Sequence, residues 1–202
     1  GSFAAEFIAR SGIGKMTIID GDVVDPTNRN RQLPALATNH GVSKALIMEE
    51  RLKAINPELE INVVQSFVNP EMVVEQLAYN PDYVIDAIDS LTPKVTFLRL
   101  AYERQVKVVS SMGAGAKLDP TQLQVVDLSK TYNCPFAQQV RKMLKQHQIR
   151  KGIKVVFSPE QPIKESLMLT DGKNFKKSAY GTISYLPAVF GAVAASVVIR
   201  DL

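Results

Sequence analysis

Six side chains in the first 90 residues suit one kind of chemistry: Asp20, Asp22, Asn28, Arg31, Lys44 and Asp89. Asp20 and Asp22 flank Gly21, and the polar run Thr27-Asn28-Arg29-Asn30-Arg31-Gln32 follows. Lys44 comes thirteen residues after Arg31, at an expected helix start. Two cations so placed suit a triphosphate, and a carboxylate at a strand end, Asp89, is a hard oxygen ligand for magnesium. The set favours nucleotidyl transfer. Hydride transfer needs no such cations, and a nicotinamide-dependent oxidoreductase would leave Arg31, Lys44 and Asp89 unexplained. Each residue also has an ordinary structural use. Arg31 and Lys44 can pair with surface carboxylates, and Asp89 can cap a helix entered at Leu91.

Gly1 stands 19 residues before Asp20, with a helix, a tight turn and a short strand between them. In a mononucleotide-binding βαβ unit the helix N-terminus holds phosphates, and an acid about 20 residues beyond the glycines accepts hydrogen bonds from the ribose. No strand precedes Gly1, so the chain is expected to begin inside that motif, with the first nucleotide-binding strand and most of its glycines upstream.

The elements that must hold these residues alternate in type. Apolar spacing predicts helices over residues 2–10, 43–55, 71–78 and 93–104, and strands over 16–19, 61–64, 83–88 and 106–110. Ser43 is the expected N-cap of its helix, and residues 16–19 are expected to form a buried strand. This is α/β order, predicting a Rossmann-like, doubly wound, mostly parallel sheet whose C-terminal strand edge carries the polar loops. Beyond Asp119 the pattern becomes a strand (123–126), a basic helix (136–147), a strand (153–157), a polar surface excursion (161–179) and an apolar helix (183–199). Residues 1–118 read as a nucleotide-binding, Rossmann-like part and residues 119–202 as a basic C-terminal part of the same domain.

The chain has 202 residues, 46% of them hydrophobic and 22% charged, which is a globular composition. The single cysteine, Cys134, excludes an intrachain disulfide and a four-thiolate zinc site, and points to a reducing, cytoplasmic compartment. The first ten residues lack the layout of a secretory leader. Net charge is +4 but uneven: residues 1–90 hold 7 Lys+Arg against 13 Asp+Glu, residues 91–202 hold 17 against 7, and residues 130–177 hold 11 against 3. The basic half is suited to a polyanion, or else forms a solvated face. Helix 183–199 approaches membrane-spanning length, but Gly191, Ala192, Ala194, Ala195 and Ser196 favour a buried core or dimer helix, with peripheral association at an inner membrane as the alternative.

The runs Ser11-Gly12-Ile13-Gly14, Asp20-Gly21-Asp22, Thr27 to Gln32, Gly41-Val42-Ser43-Lys44, Ile55-Asn56-Pro57 and Asp86-Ala87-Ile88-Asp89-Ser90 resemble the ThiF/MoeB superfamily of ubiquitin-activating-like adenylating enzymes. Gly113-Ala114-Gly115, Asp119-Pro120-Thr121-Gln122, Asp127, Thr131 and Val156-Phe157-Ser158-Pro159-Glu160 are most similar to its tRNA threonylcarbamoyladenosine dehydratase branch. The resemblance covers Gly1 to about Gly191. It implies ATP and Mg2+ as cofactors, with Asp20 on the ribose, Arg31 and Lys44 on phosphates, Asp89 on magnesium, and Gly1 and Asp22 in the nucleotide site. Asn28 would orient the phosphates and the nucleophile. The implied reaction activates the threonylcarbamoyl carboxylate on a tRNA adenosine beside the anticodon with ATP, and closes a ring with net loss of water. The implied partners are tRNA, a second copy of the chain and, as in the family, a cysteine desulfurase and sulfur-acceptor system.

Arg141, Lys142, Lys145, Arg150 and Lys151 are the expected contacts to RNA phosphates, with Lys154 beside them. His40, His147 and Cys134 match no motif. A sulfur-carrier adenylating enzyme is the alternative within the superfamily, although it usually shows zinc cysteines that this chain lacks. A non-catalytic adaptor is the alternative outside it.

Overall fold

The computed structural model describes residues 1–163, 165, 167–169 and 178–202. Helix α1 (Ser2–Arg10) leads through a glycine turn into β1 (Lys15–Ile19), followed by α2 (Lys44–Ile55), β2 (Glu60–Val64) and α3 (Pro70–Ala78). Next come β3 (Val84–Asp86), α4 (Leu91–Glu103), β4 (Val108–Ser111), β5 (Gln124–Asp127), α5 (Pro135–Gln146) and β6 (Lys154–Phe157). The chain ends with β7 (Leu167–Leu169), β8 (Ser178–Tyr180) and α6 (Tyr185–Asp201).

Strands β1 and β2 pair in parallel, Lys15 opposite Glu60 through Ile19 opposite Val64. A second ladder runs in the order β3-β4-β6-β5, parallel except for β5, which lies antiparallel to β6. Its faces are covered differently, because successive strand side chains point to opposite sides. Val155 and Phe157 pack among α4 and α5, whereas Val109 and Val156 meet Leu186, Phe190 and Ala194 of α6. The fold is therefore α/β and Rossmann-like, with helices on both faces. Residues Val95, Leu98 and Met112 share one cluster with Leu128, Val140 and Phe157.

Several boundaries differ from the sequence reading. The strand expected over 83–88 is confined to Val84–Asp86, and its last residues form the loop that carries Asp89. Strand β1 is half-exposed rather than buried, with Thr17 and Ile19 facing solvent, since α2 packs on only one of its faces. The excursion at 161–179 contains the antiparallel pair β7 and β8. Residues 164, 166 and 170–177, including Lys164, Lys173, Lys176 and Lys177 of the basic stretch, lie outside the described residues.

Helix α6 is a core helix within this chain. At Gly191 an added Cβ would lie 2.8 Å from the Ala4 nitrogen and from the Phe3 Cβ, so glycine permits the close crossing of α6 over α1. Of the two uses expected for it, core helix or dimer helix, the first is met within this chain, because α1 and the sheet cover it. Among the described residues no helix is long and apolar enough to cross a membrane. Helices α4 and α5 end in the same way: Gln105 (φ 59°) and Gln148 (φ 61°) turn left-handed, and the next amides, of Val106 and Ile149, donate to Ala101 and Leu144.

Candidate nucleotide site and basic cleft

The C-terminal ends of β1, β3 and β4 and the N-terminus of α1 meet at one edge. The Asp20 amide donates to the Val64 carbonyl at 3.2 Å, and its Oδ1 accepts from the Asp22 amide at 2.8 Å. Burial raises the Asp20 carboxyl above the usual aspartate value, while the Asp22 amide and the Lys44 charge act in the opposite direction. A Cβ at Gly21 would fall 2.6 Å from the Phe67 nitrogen, so the Asp-Gly-Asp run requires glycine between its acids. Lys44 Nζ donates to Asp22 Oδ2 at 3.0 Å, with the Lys44 side chain 8% exposed and that of Asp22 46%. The pairing anticipated for Lys44 as an ordinary alternative is thus present, yet two of its three ammonium donors are left for an anion. Ser43 occupies the N-cap of α2 without a side-chain capping bond. The Lys44 amide instead donates to the Asp22 carbonyl at 3.1 Å.

Gly1 is the N-cap of α1, and a Cβ on it would be 3.5 Å from that of Ala87. Its nitrogen lies in the fields of Asp20, Lys94, Asp86 and Asp89. The structure therefore gathers Gly1, Asp20, Asp22, Lys44 and Asp89 around the helix N-terminus, where backbone amides attract phosphate.

Asn28 and Arg31 are used within their loop. Asp25 caps the turn Pro26–Asn28, and the buried Asn28 returns the bond by accepting from the Asp25 amide at 3.1 Å. Arg31 donates to the Thr27 carbonyl at 2.7 Å and to Asn30 Oδ1 at 3.1 Å, and Asn30 in turn donates to the Thr182 carbonyl at 2.9 Å. The loop is stiffened by these bonds, with Arg31 half-buried upon it.

A buried group at the same edge was missed. Asp86, the last residue of β3, accepts from Lys94 Nζ and Ser110 Oγ, both at 2.6 Å, and from the Ile88 amide at 2.9 Å. Lys94 and Ser110 are fully buried. The Lys94 ammonium also lies 5.7 Å from the Phe136 ring centroid. The cluster fixes the start of loop 87–90, and hence the backbone that presents Asp89. Its signal was available: Lys94 falls on the inward stripe of α4 with Leu91, Val95 and Leu98, eight residues after an acid ending a strand.

Among the described residues no group of three or more His, Cys, Asp or Glu could hold a metal. The residues present nevertheless fit magnesium, which is commonly held by one or two carboxylates together with substrate phosphates. Asp89 is exposed at the edge, whereas Asp86 is already occupied by its donors.

Arg141, Lys142, Lys145, Arg150 and Lys151 all line one cleft of about 530 Å³. Arg141 is half-buried and donates to the Thr131 carbonyl at 2.7 Å and to the Thr131 hydroxyl. The other four are exposed, and none forms a salt bridge among the described residues. Lys154 instead pairs with Asp201. Cys134 is buried at the start of α5, beside Lys117, whose amine donates to the Ser158 carbonyl and is lowered by burial. His40 and His147 are exposed.

The sequence pattern of the ThiF family matches residues 1–202. The tRNA threonylcarbamoyladenosine dehydratase of Bacillus subtilis is 39% identical over 209 residues, covering 100% of this chain and 82% of the relative. The Escherichia coli enzyme in complex with AMP superposes with a TM-score of 0.89 at 40% identity, over 100% of this chain and 80% of that one. Its ATP complex gives 0.88 at 39% identity with the same coverage.

Proposed function

The chain belongs to the ThiF family, and on that premise we propose that it is an ATP-dependent tRNA threonylcarbamoyladenosine dehydratase. The observation that carries this reading is the meeting of Asp20, the Asp22–Lys44 pair and Asp89 at the N-terminus of α1, in a chain 39% identical along its whole length to such an enzyme. Asp20 receives the ribose hydroxyls, and the α1 amides with Lys44 receive the triphosphate. Arg31 meets the phosphates from its stiffened loop, and Asn28 keeps that loop in shape beside them. Asp89 holds magnesium, which neutralises phosphate charge when bound.

The substrate carboxylate attacks the α-phosphorus and pyrophosphate leaves. The substrate's own nitrogen then attacks the activated carbonyl, AMP leaves, and a ring closes with net loss of water. The chain's contribution is alignment and charge stabilisation from groups fixed before substrate arrives. The Lys and Arg side chains of the cleft meet tRNA phosphates.

Assembly as a homodimer is part of the proposal. Its support is the exposed apolar set Val23, Leu36, Val42 and Leu46, brought together in part by the Val23–Ser43 bridge. A cysteine desulfurase and sulfur-acceptor partner rests on family resemblance alone, and a cytoplasmic location on the single cysteine.

The test is incubation with ATP, magnesium and tRNA carrying threonylcarbamoyladenosine, followed by mass spectrometry of the nucleosides. The expected product is lighter by one water and forms with stoichiometric AMP. AMP formation only with a carrier protein ending in Gly-Gly, and no change in the tRNA, would replace this reading with sulfur-carrier adenylation.

A further inference from the structure

The basic cleft lies at the wrong end of the sheet to hold the reacting nucleotide. Helix α5 starts at Cys134, whose Sγ is 3.9 Å from the position of a Cβ on Gly113, just beyond the C-terminal end of β4. It ends where residues 149–153 lead into the N-terminal end of β6, which runs parallel to β4. The cleft is lined by α5 from Gln138 to Lys145, by Leu128 and Ser129, and by those residues. With a rise of about 1.5 Å per residue, the helix separates the two edges by roughly 18 Å.

Its chemistry is that of a phosphate-backbone site. Buried Leu128, Leu144, Ile149 and Ile153 form the floor, and the rim is cationic. Arg10, Lys44, Arg51, Lys53 and Lys94 have carboxylate partners, whereas four exposed cations without a salt bridge among the described residues stand together on this rim. The adjacent carboxylate, Asp127, is turned to the backbone, accepting from the amides of Gly152 at 2.6 Å and Ser129 at 2.8 Å. These bonds, with left-handed Gln148 and Gly152, fix the loop that presents Arg150 and Lys151. A rim dominated by ammonium and guanidinium donors, with Gln138 as an amide beside them and no carboxylate among its lining residues, favours phosphate contacts, which position RNA without reading its sequence.

We propose that this cleft grips phosphates of an RNA stem at the sheet edge opposite the ATP site, so that the substrate is held at two points, the modified nucleoside at one edge and its stem at the other. The proposal rests on the tRNA reading above. It predicts that stem length matters apart from chemistry.

The experiment compares modified anticodon hairpins with a full stem and with a stem cut by about half, using the wild type and the Lys142→Ala/Lys145→Ala/Lys151→Ala variant. Arg141 is left intact because it braces Thr131. In the wild type, shortening the stem should raise KM at least tenfold with kcat unchanged. The variant should show that rise already on the full stem, respond little to shortening, and lose about 2 to 3 from its salt slope. Wild-type KM and salt slope in the variant would overturn the proposal. Anisotropy with unmodified hairpins and no ATP reads the cleft separately. Stem-dependent binding by a protein that forms no cyclised product would remove the function and keep the grip. Displacement of both hairpins equally by millimolar inorganic phosphate would make the cleft a small-anion site and overturn the grip.

Discussion

Asp86 and Lys94 show how much of the site depends on groups that touch no nucleotide. Both lie out of solvent and each is the other's charge partner, so Lys94→Met should cost about 3–5 kcal/mol, the usual cost of leaving a buried charge alone. Denaturant titration checks this, and Asp86→Asn in the same chain should recover part of the loss. Because the pair anchors loop 87–90, Lys94→Met should also raise the magnesium concentration needed for half-maximal rate. A second residue prediction follows from Asp20. Its carboxyl is raised by burial, so the folded state holds the proton to higher pH than the unfolded chain. Stability therefore falls as pH rises from the ordinary aspartate value through the raised one. Asp20→Asn should accordingly have a higher Tm than the wild type at neutral pH, with the difference vanishing in acid, and should lose ATP binding. A Tm difference independent of pH would contradict this. Asp20 and Lys44 were legible because spacing from a glycine and from a helix start constrains them. Lys94 was not, because a lysine on a helix is ordinarily read as solvated, and only its position on an apolar stripe says otherwise.

Helix and strand alternation in the first half was readable from periodicity, and with it the edge at which the loops gather. The antiparallel direction of β5 was not, since two valines between a glutamine and an aspartate carry no sign of the strand's orientation. Nor was the partner of α6 readable, because a helix apolar on all sides fits a core, an interface or a bilayer equally well. Its actual partner, α1, makes the crossing at Gly191 consequential for the site. Gly191→Ala would force atoms into 2.8 Å contact with the backbone of Ala4, at a cost of roughly 1–3 kcal/mol. Displacing α1 moves the helix N-terminus that receives phosphate, so KM for ATP should rise along with the fall in denaturation midpoint. An unchanged midpoint and unchanged KM would show that the two helices can separate without disturbing the edge.

At the scale of the whole molecule, the acidic and basic halves of the sequence become two places on one body, the nucleotide edge and the cleft beneath α5. Helix α5, roughly 18 Å long and running from the one edge to the other, turns two modest contacts into one event. Once the stem is seated, the modified base no longer searches the bulk solution. It samples the ATP edge at an effective concentration set by the rigidity of the RNA between the two contacts. The free threonylcarbamoyladenosine nucleoside has the same reacting atoms and no stem, so it should be cyclised with a KM higher by on the order of a hundredfold or more, measurable by AMP release at saturating ATP. Equal KM values for nucleoside and tRNA would mean that the edge alone captures its substrate. With the expected difference, discrimination against free nucleosides in the cell comes from distance, without any base being read.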